Sequence, residues 1–159
     1  MSNFYKTIKV DREVLVKWIK GTVNKGHYHL GKKLPMGMQL SDWHNPKVDC
    51  SGLVRLFLNR ITFDHLIIPD GSWHQNKWAM GYPLRPCDYS DCAKLDDRLR
   101  IAFMAPGRGK HGHVWLCVNG RTIESYGGHG PGRRAWNVKP LLSRVSTCYL
   151  LTEPMNTSS

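Results

Sequence analysis

Residues 113–126 read HVWLCVNGRTIESY, two largely apolar runs around an Asn-Gly pair. Asn-Gly between such runs is the strongest short-range hairpin signal, because both residues tolerate the positive φ of a two-residue type I′ turn. A turn at Asn119-Gly120 sets Val118 opposite Arg121, Cys117 opposite Thr122, Leu116 opposite Ile123, Trp115 opposite Glu124 and His113 opposite Tyr126. Side chains alternate along each strand. One face then carries Val114, Leu116, Val118, Ile123 and Ser125, mostly core material. The other carries His113, Trp115, Cys117, Thr122, Glu124 and Tyr126. His113 and Glu124 become diagonal neighbours, with Cα atoms about 7–8 Å apart. A carboxylate at that range orients an imidazole, which is how a general base acquires its partner.

Further strands are expected at 100–105 (RIAFMA) and 147–151 (TCYLL). Before them, Asp11 is a candidate N-cap for a helix near 11–24, where Val14, Leu15, Trp18 and Ile19 recur at helical spacing. Residues 26–48 read as a loop. A second helix follows, its broad apolar face made by Leu53, Val54, Leu56, Phe57, Leu58 and Ile61, and a short one is expected around Trp73 to Met80 within an otherwise irregular 69–97. Helices first and strands second predict an α+β fold with a mostly antiparallel sheet. The 159 residues show no repeat or composition break, so one domain is expected over 1–159, with 154–159 a flexible tail.

The second helix opens with VDCSGLVRLFL at 48–58. A cysteine in a first helical turn feels the positive end of the helix dipole, which favours its thiolate. Gly52 is expected to keep that turn open for a carbonyl substrate, and backbone N–H groups there to hold an oxyanion. Cys50, His113 and Glu124 thus have the chemistry of nucleophile, base and orienting residue. On the residues alone the alternative stays open: a core cysteine, a strand-edge histidine and a solvated charge.

Asp49-Cys50-Ser51-Gly52-Leu53-Val54 followed by Gly112-His113-Val114 resembles the NlpC-type papain-like cysteine peptidases that cut bacterial peptidoglycan. Gly26-His27-Tyr28-His29-Leu30-Gly31, Asp70-Gly71-Ser72 with Gln75, and Arg100 to Met104 extend the resemblance over about residues 26–126. It implies a papain-like fold with the nucleophile at a helix N-terminus packed on the sheet. It implies a cysteine endopeptidase acting on stem peptides at the D-glutamyl–diamino acid bond, with Cys50 and His113 catalytic. Tyr28, Asp49, Ser51 and Trp115 are the expected substrate-contacting residues. Two departures stand out: Glu124 occupies the position where the family usually has a histidine, and the Pro-Gly-Asp usual before the histidine strand is missing. His129, in the Gly-rich stretch 127–132 expected to be a flexible loop, is the rival third residue. An amidase or acyltransferase of the same fold, and a non-catalytic basic module binding wall polymer or nucleic acid, are the alternative functions.

Lys and Arg number 23 against 12 Asp and Glu, a net charge of +11. Anionic partners are favoured, bacterial peptidoglycan first; the scattered basic residues do not make a nucleic-acid recognition helix. If the protein is an antibacterial effector, a cognate immunity protein is a further expected partner. No run reaches the roughly 20 apolar residues that span a bilayer, and no signal peptide is visible at the N-terminus. Synthesis in the cytoplasm is expected, with action at the cell wall after release or export, as for a phage lysin or an injected effector. No cofactor is expected. A zinc site at His111, His113 and His129 lacks clear further ligands. Of the five cysteines, Cys117 and Cys148 lie in strand-like runs as buried inert thiols, and a disulfide scaffold is not expected. Trp43, Trp73, Trp78, Trp115 and Trp136 fall in or near the cleft loops, where one or two would line a groove.

Overall fold

The structure, a computed structural model, describes residues 4–106, 112–136 and 144–153. The expected tail 154–159 lies outside them.

Helix α1 spans Arg12–Thr22, and Asp11 caps it by accepting from the N–H groups of Glu13 and Val14. Helix α2 spans Cys50–Ile61 under the cap of Asp49, whose carboxylate accepts from Gly52 N–H. Ten of the twelve residues of α2 are buried, so it is the central helix. Its Leu53, Val54, Phe57 and Ile61 share one core with Ile101, Phe103, Val114, Leu116 and Ile123, and Trp18 of α1 meets Phe57 edge-on with centroids 5.8 Å apart. Each large side chain so buried contributes about 1.5–3 kcal/mol. A third helix, α3, spans Ser72–Gly81.

Six strands follow: β1 (Arg85–Cys87), β2 (Arg100–Met104), β3 (His113–Val118), β4 (Arg121–Tyr126), β5 (Gly130–Gly132) and β6 (Thr147–Leu150). They form one antiparallel sheet in the order β1-β6-β2-β3-β4-β5. The β3–β4 register is the one read from the Asn-Gly turn, with Leu116 opposite Ile123, Cys117 opposite Thr122 and Val118 opposite Arg121. Asn119 and Gly120 take φ of 54° and 73°, the left-handed values of a type I′ turn. The fold is α+β, with helices leading and α2, headed by Cys50, packed on the sheet.

Two expectations change. The stretch 127–132 is not wholly a loop: Gly130–Gly132 is edge strand β5, paired with Glu124 to Tyr126. Composition misleads there because an edge strand needs only half its backbone groups paired and tolerates proline. Strand β1, reading RPC, is invisible to alternation for the same reason. The second face of the sheet is also covered. Trp115, Cys117, Cys148, Ala102, Cys92 and Trp136 form a separate buried cluster, roofed by the 3-10 turn Tyr89–Ala93 and by the segment 133–136, which bonds back along β4.

Candidate active site

The site forms where the N-terminus of α2 meets β3 and β4. Asp49 is buried, and its carboxylate is used up inside the chain. It accepts from Gly52 N–H at 2.8 Å, from Gly31 N–H at 3.0 Å and from the Lys33 ammonium at 2.7 Å to each oxygen. Lys33 also donates to Ser51 Oγ at 2.6 Å. Gln75 of α3 donates through Nε2 to the Ser51 carbonyl at 3.0 Å. Ser125 Oγ donates to the Val48 carbonyl at 2.7 Å, tying β4 to the residues that lead into the helix. These bonds from three directions hold the first turn of α2 against the hairpin.

They also correct three expected substrate contacts. Asp49 and Ser51 are 4% and 3% exposed and saturated by internal partners, so they build the turn. Trp115 is fully buried, stacked between His113 at 5.3 Å and Trp136 at 4.4 Å, and lines no groove. Gly52 has a different reason from the expected one. A Cβ there would come within 2.9 Å of Asp49 Oδ1 and 3.1 Å of the Lys32 carbonyl. The glycine lets the 31–33 loop close onto the helix. Of the tryptophans, Trp43 and Trp136 are buried, whereas Trp73 is exposed.

Cys50 begins α2, and its thiol bears on the charge of the His113 imidazole. The His113 Nε2 lies 2.7 Å from Glu124 Oε1, which leaves Nδ1 for the thiol. Glu124 is wholly buried. Arg134 donates to both of its oxygens, at 2.8 and 2.7 Å, and Thr122 Oγ1 and the Trp136 indole N–H reach Oε2. Burial by itself would raise the Glu124 pKa, but the hydrogen bonds from Arg134, His113 and Thr122 outweigh it and lower it to about 2. Burial by itself would lower the His113 pKa, but the Cys50 and Glu124 hydrogen bonds and charges raise it to about 9. The arrangement is a thiol, an imidazole biased to its protonated form, and a carboxylate clamped ionised. Half-buried Tyr28 stands nearby: burial first, then the negative charges of Cys50 and Asp49, push its phenol up.

Lys33 and Arg134 were not expected here, nor were Thr122 and Trp136 as partners of the Glu124 carboxylate. Arg134 registers in the sequence only as one of a pair of basic residues, and only the fold turns it onto a buried carboxylate. His129, the rival third residue, bonds Asn24 Oδ1 at 2.7 Å and stacks on Tyr126, away from the imidazole it was to orient. Among the described residues no group of three or more His, Cys, Asp or Glu is arranged to hold a metal. His111 of the zinc reading lies outside the described residues.

The fold has counterparts among solved structures. A Bacillus cereus ATCC 10987 NlpC/P60 family protein superposes with a TM-score of 0.57 at 15% identity, over 92% of this chain and 42% of that one. A Staphylococcus aureus subsp. aureus Mu50 protein described as similar to lipoprotein, NLP/P60 family, superposes with a TM-score of 0.56 at 12% identity, over 96% of this chain and 45% of that one. The chain has the NlpC/P60 fold. It spans less than half the length of these two proteins. No protein-family model and no curated protein matches the sequence. Within the NlpC/P60 fold, Cys50 heads the central helix and His113 opens the strand beside it.

Proposed function

We propose that the protein is a peptidoglycan hydrolase, a cysteine endopeptidase that cuts stem-peptide amide bonds, most specifically the D-glutamyl–diamino acid bond. One observation carries the reading: the Cys50–His113–Glu124 chain, with the nucleophile at a helix N-terminus and the imidazole 2.7 Å from a buried, clamped carboxylate. Cys50 Sγ attacks the amide carbonyl as thiolate, and the Cys50 backbone N–H and the Tyr28 hydroxyl donate to the oxygen that becomes anionic. His113 carries the proton from the thiol to the leaving amine, and water then releases the acyl group with His113 as base. Glu124 holds the imidazole in one tautomer and direction. The net charge of +11 suits the anionic wall. The setting we propose is a phage lysin or an exported antibacterial effector, the latter met by an immunity protein in the producing cell.

Digestion of purified sacculi, with released fragments identified by mass spectrometry, tests the reading. Wild type should release peptides that begin with the diamino acid and leave L-alanyl-D-glutamate on the glycan, and Cys50→Ala should release none. Equal release by Cys50→Ala removes the nucleophile. A cut between muramic acid and L-alanine makes the enzyme an amidase. Sedimentation with sacculi without any released fragment makes it a binding module.

A further inference from the structure

Four of the five cysteines converge on the sheet face remote from α2, outside the candidate site. Cys87 of β1 stands opposite Cys148 of β6 in the strand register. The Cys148 sulfur lies 3.2 Å from that of Cys92, in the 3-10 turn Tyr89–Ala93. Cys117 of β3 packs in the same buried cluster as Cys92 and Cys148. All four are free thiols, and no metal-binding arrangement exists among the described residues. Positions 87, 92, 117 and 148 have no spacing that announces a group; sheet pairing collects them. A row of thiols at sulfur contact has one common chemistry, which is exchange.

We propose that Cys92 and Cys148 are an oxidation site, a dithiol that a small-molecule disulfide of the glutathione type converts to an intrachain disulfide, with Cys87 as the outer, receiving thiol. Cys92 and Cys148 are 1% and 2% exposed, so no oxidant reaches them directly. Cys87 is half-buried and lines an open surface cleft of about 350 Å³ with Arg85, Asp88 and Asp91, room enough for a tripeptide thiol to enter in part. The Cys87 thiolate attacks the external disulfide, forming a mixed disulfide and releasing one small thiol. Cys148, held as the thiol by its sulfur neighbours and by burial, passes its proton to the departing small thiolate as it attacks the Cys87 sulfur, forming Cys87–Cys148 and releasing the second small thiol. Cys92 then attacks Cys148, forming Cys92–Cys148 and returning Cys87 with a proton. Two protein thiols are oxidised and one external disulfide is reduced to two thiols. Hydrogen bonds with Cys117 and Cys148, aided by the Arg100 guanidinium, outweigh burial and favour the Cys92 thiolate that the last step needs. The sulfurs must close by about 1.2 Å to reach bonding distance, a movement asked of a one-turn element packed on β6. The bond joins residues fifty-six apart and encloses His113, Glu124 and Arg134, so it restrains the unfolded chain around the site.

The test is incubation of the folded full-length chain with oxidised or reduced glutathione, followed by alkylation, peptide mapping and thermal unfolding. Oxidised wild type should lose about 2 Da, apart from any glutathione adduct on Cys50, with a mapped Cys92–Cys148 linkage. Its Tm should rise by about 5–10 °C. Cys148→Ser should lose the rise, Cys92→Ser should stop at a mapped Cys87–Cys148 linkage, and Cys87→Ser should reach the wild-type linkage at least about tenfold more slowly. If Cys92→Ser fails to fold, the wild-type map alone decides. Cys92 and Cys148 still alkylated after exposure and unfolding, a linkage mapped elsewhere, or zinc retained in the native mass spectrum would each overturn the proposal.

Discussion

Toward α2, strands β3 and β4 present Val114, Leu116, Val118 and Ile123, and the space between is filled by Leu53, Val54, Phe57 and Ile61. On the opposite face the same strands present Trp115, Cys117, Thr122 and Glu124, which are as dry as the first set. The first face is held by dispersion and water exclusion, which are non-directional, so many apolar residues would serve. The second face buries an ionised carboxylate, which is tolerable only because a guanidinium, an imidazole and a hydroxyl point at it. Loss of a group on the first face should therefore cost stability and spare the chemistry. Loss on the second should reach the chemistry through His113.

The sharpest test is His113→Ala, which should cut kcat/KM on sacculi about 10⁴-fold and, by removing one partner of the buried Glu124 carboxylate, also lower Tm near pH 6. A variant within tenfold of wild type would detach the second face from the reaction. On the first face, Phe57→Ala should cost about 3–5 kcal/mol in urea unfolding, as buried Phe truncations do. Whatever remains folded should keep the wild-type pH profile, and a changed profile would mean that the two faces are not separable. Arg134→Met leaves Glu124 buried without its bidentate partner and should cost about 2–3 kcal/mol. That loss should be largest near pH 6, because it is the ionised carboxylate that needs the partner.

The sign of the pH dependence follows from the two shifts. Glu124 is lowered from 4.5 to about 2, so its contribution is complete above pH 4.5 and is lost as pH falls toward 2. His113 is raised from 6.5 to about 9, so its contribution is complete below pH 6.5 and is lost as pH rises through 9. The pair should therefore stabilise the fold most between pH 4.5 and 6.5, and the alkaline limb of the rate should fall near pH 9. Glu124→Gln still accepts from the imidazole, but it is neutral and brings an amide N–H₂ up against Arg134. The rate should drop about tenfold and the alkaline limb should move down by about one pH unit. An unmoved limb would mean that Glu124 does not set the charge of His113. The smallest effect is expected from His129→Ala, within about twofold of wild type, since that ring is engaged with Asn24 and Tyr126. A crippled His129→Ala beside an intact Glu124→Ala would reverse the assignment of the orienting residue.

Much of this was legible along the chain. The turn dipeptide Asn119-Gly120 set the β3–β4 register, and register plus alternation put His113 and Glu124 on one face. The Asp49 cap placed Cys50 at a helix start. Each of these signals is local, spanning a few residues whose backbone preferences act over one turn or one strand pair. Alternation misjudged the second face because a period of two says which side a residue occupies and nothing of what covers that side. Trp115 thus looked like a groove residue and is sealed by Trp136, while Ser51 and Asp49 looked available and are consumed by Lys33.

By itself, then, the sequence determined the helices, the hairpin and the meeting of imidazole with carboxylate, since caps, turns and side-chain period are short-range properties. Only the tertiary structure decided that Arg134 clamps Glu124, that Lys33 braces the turn that holds Cys50, that Gly130–Gly132 closes the sheet edge, and that four scattered cysteines meet. The β5 edge aside, those contacts join residues ten to fifty-six positions apart, and the partner of a charge or a thiol at such separations is chosen by the path of the chain, which no local spacing encodes.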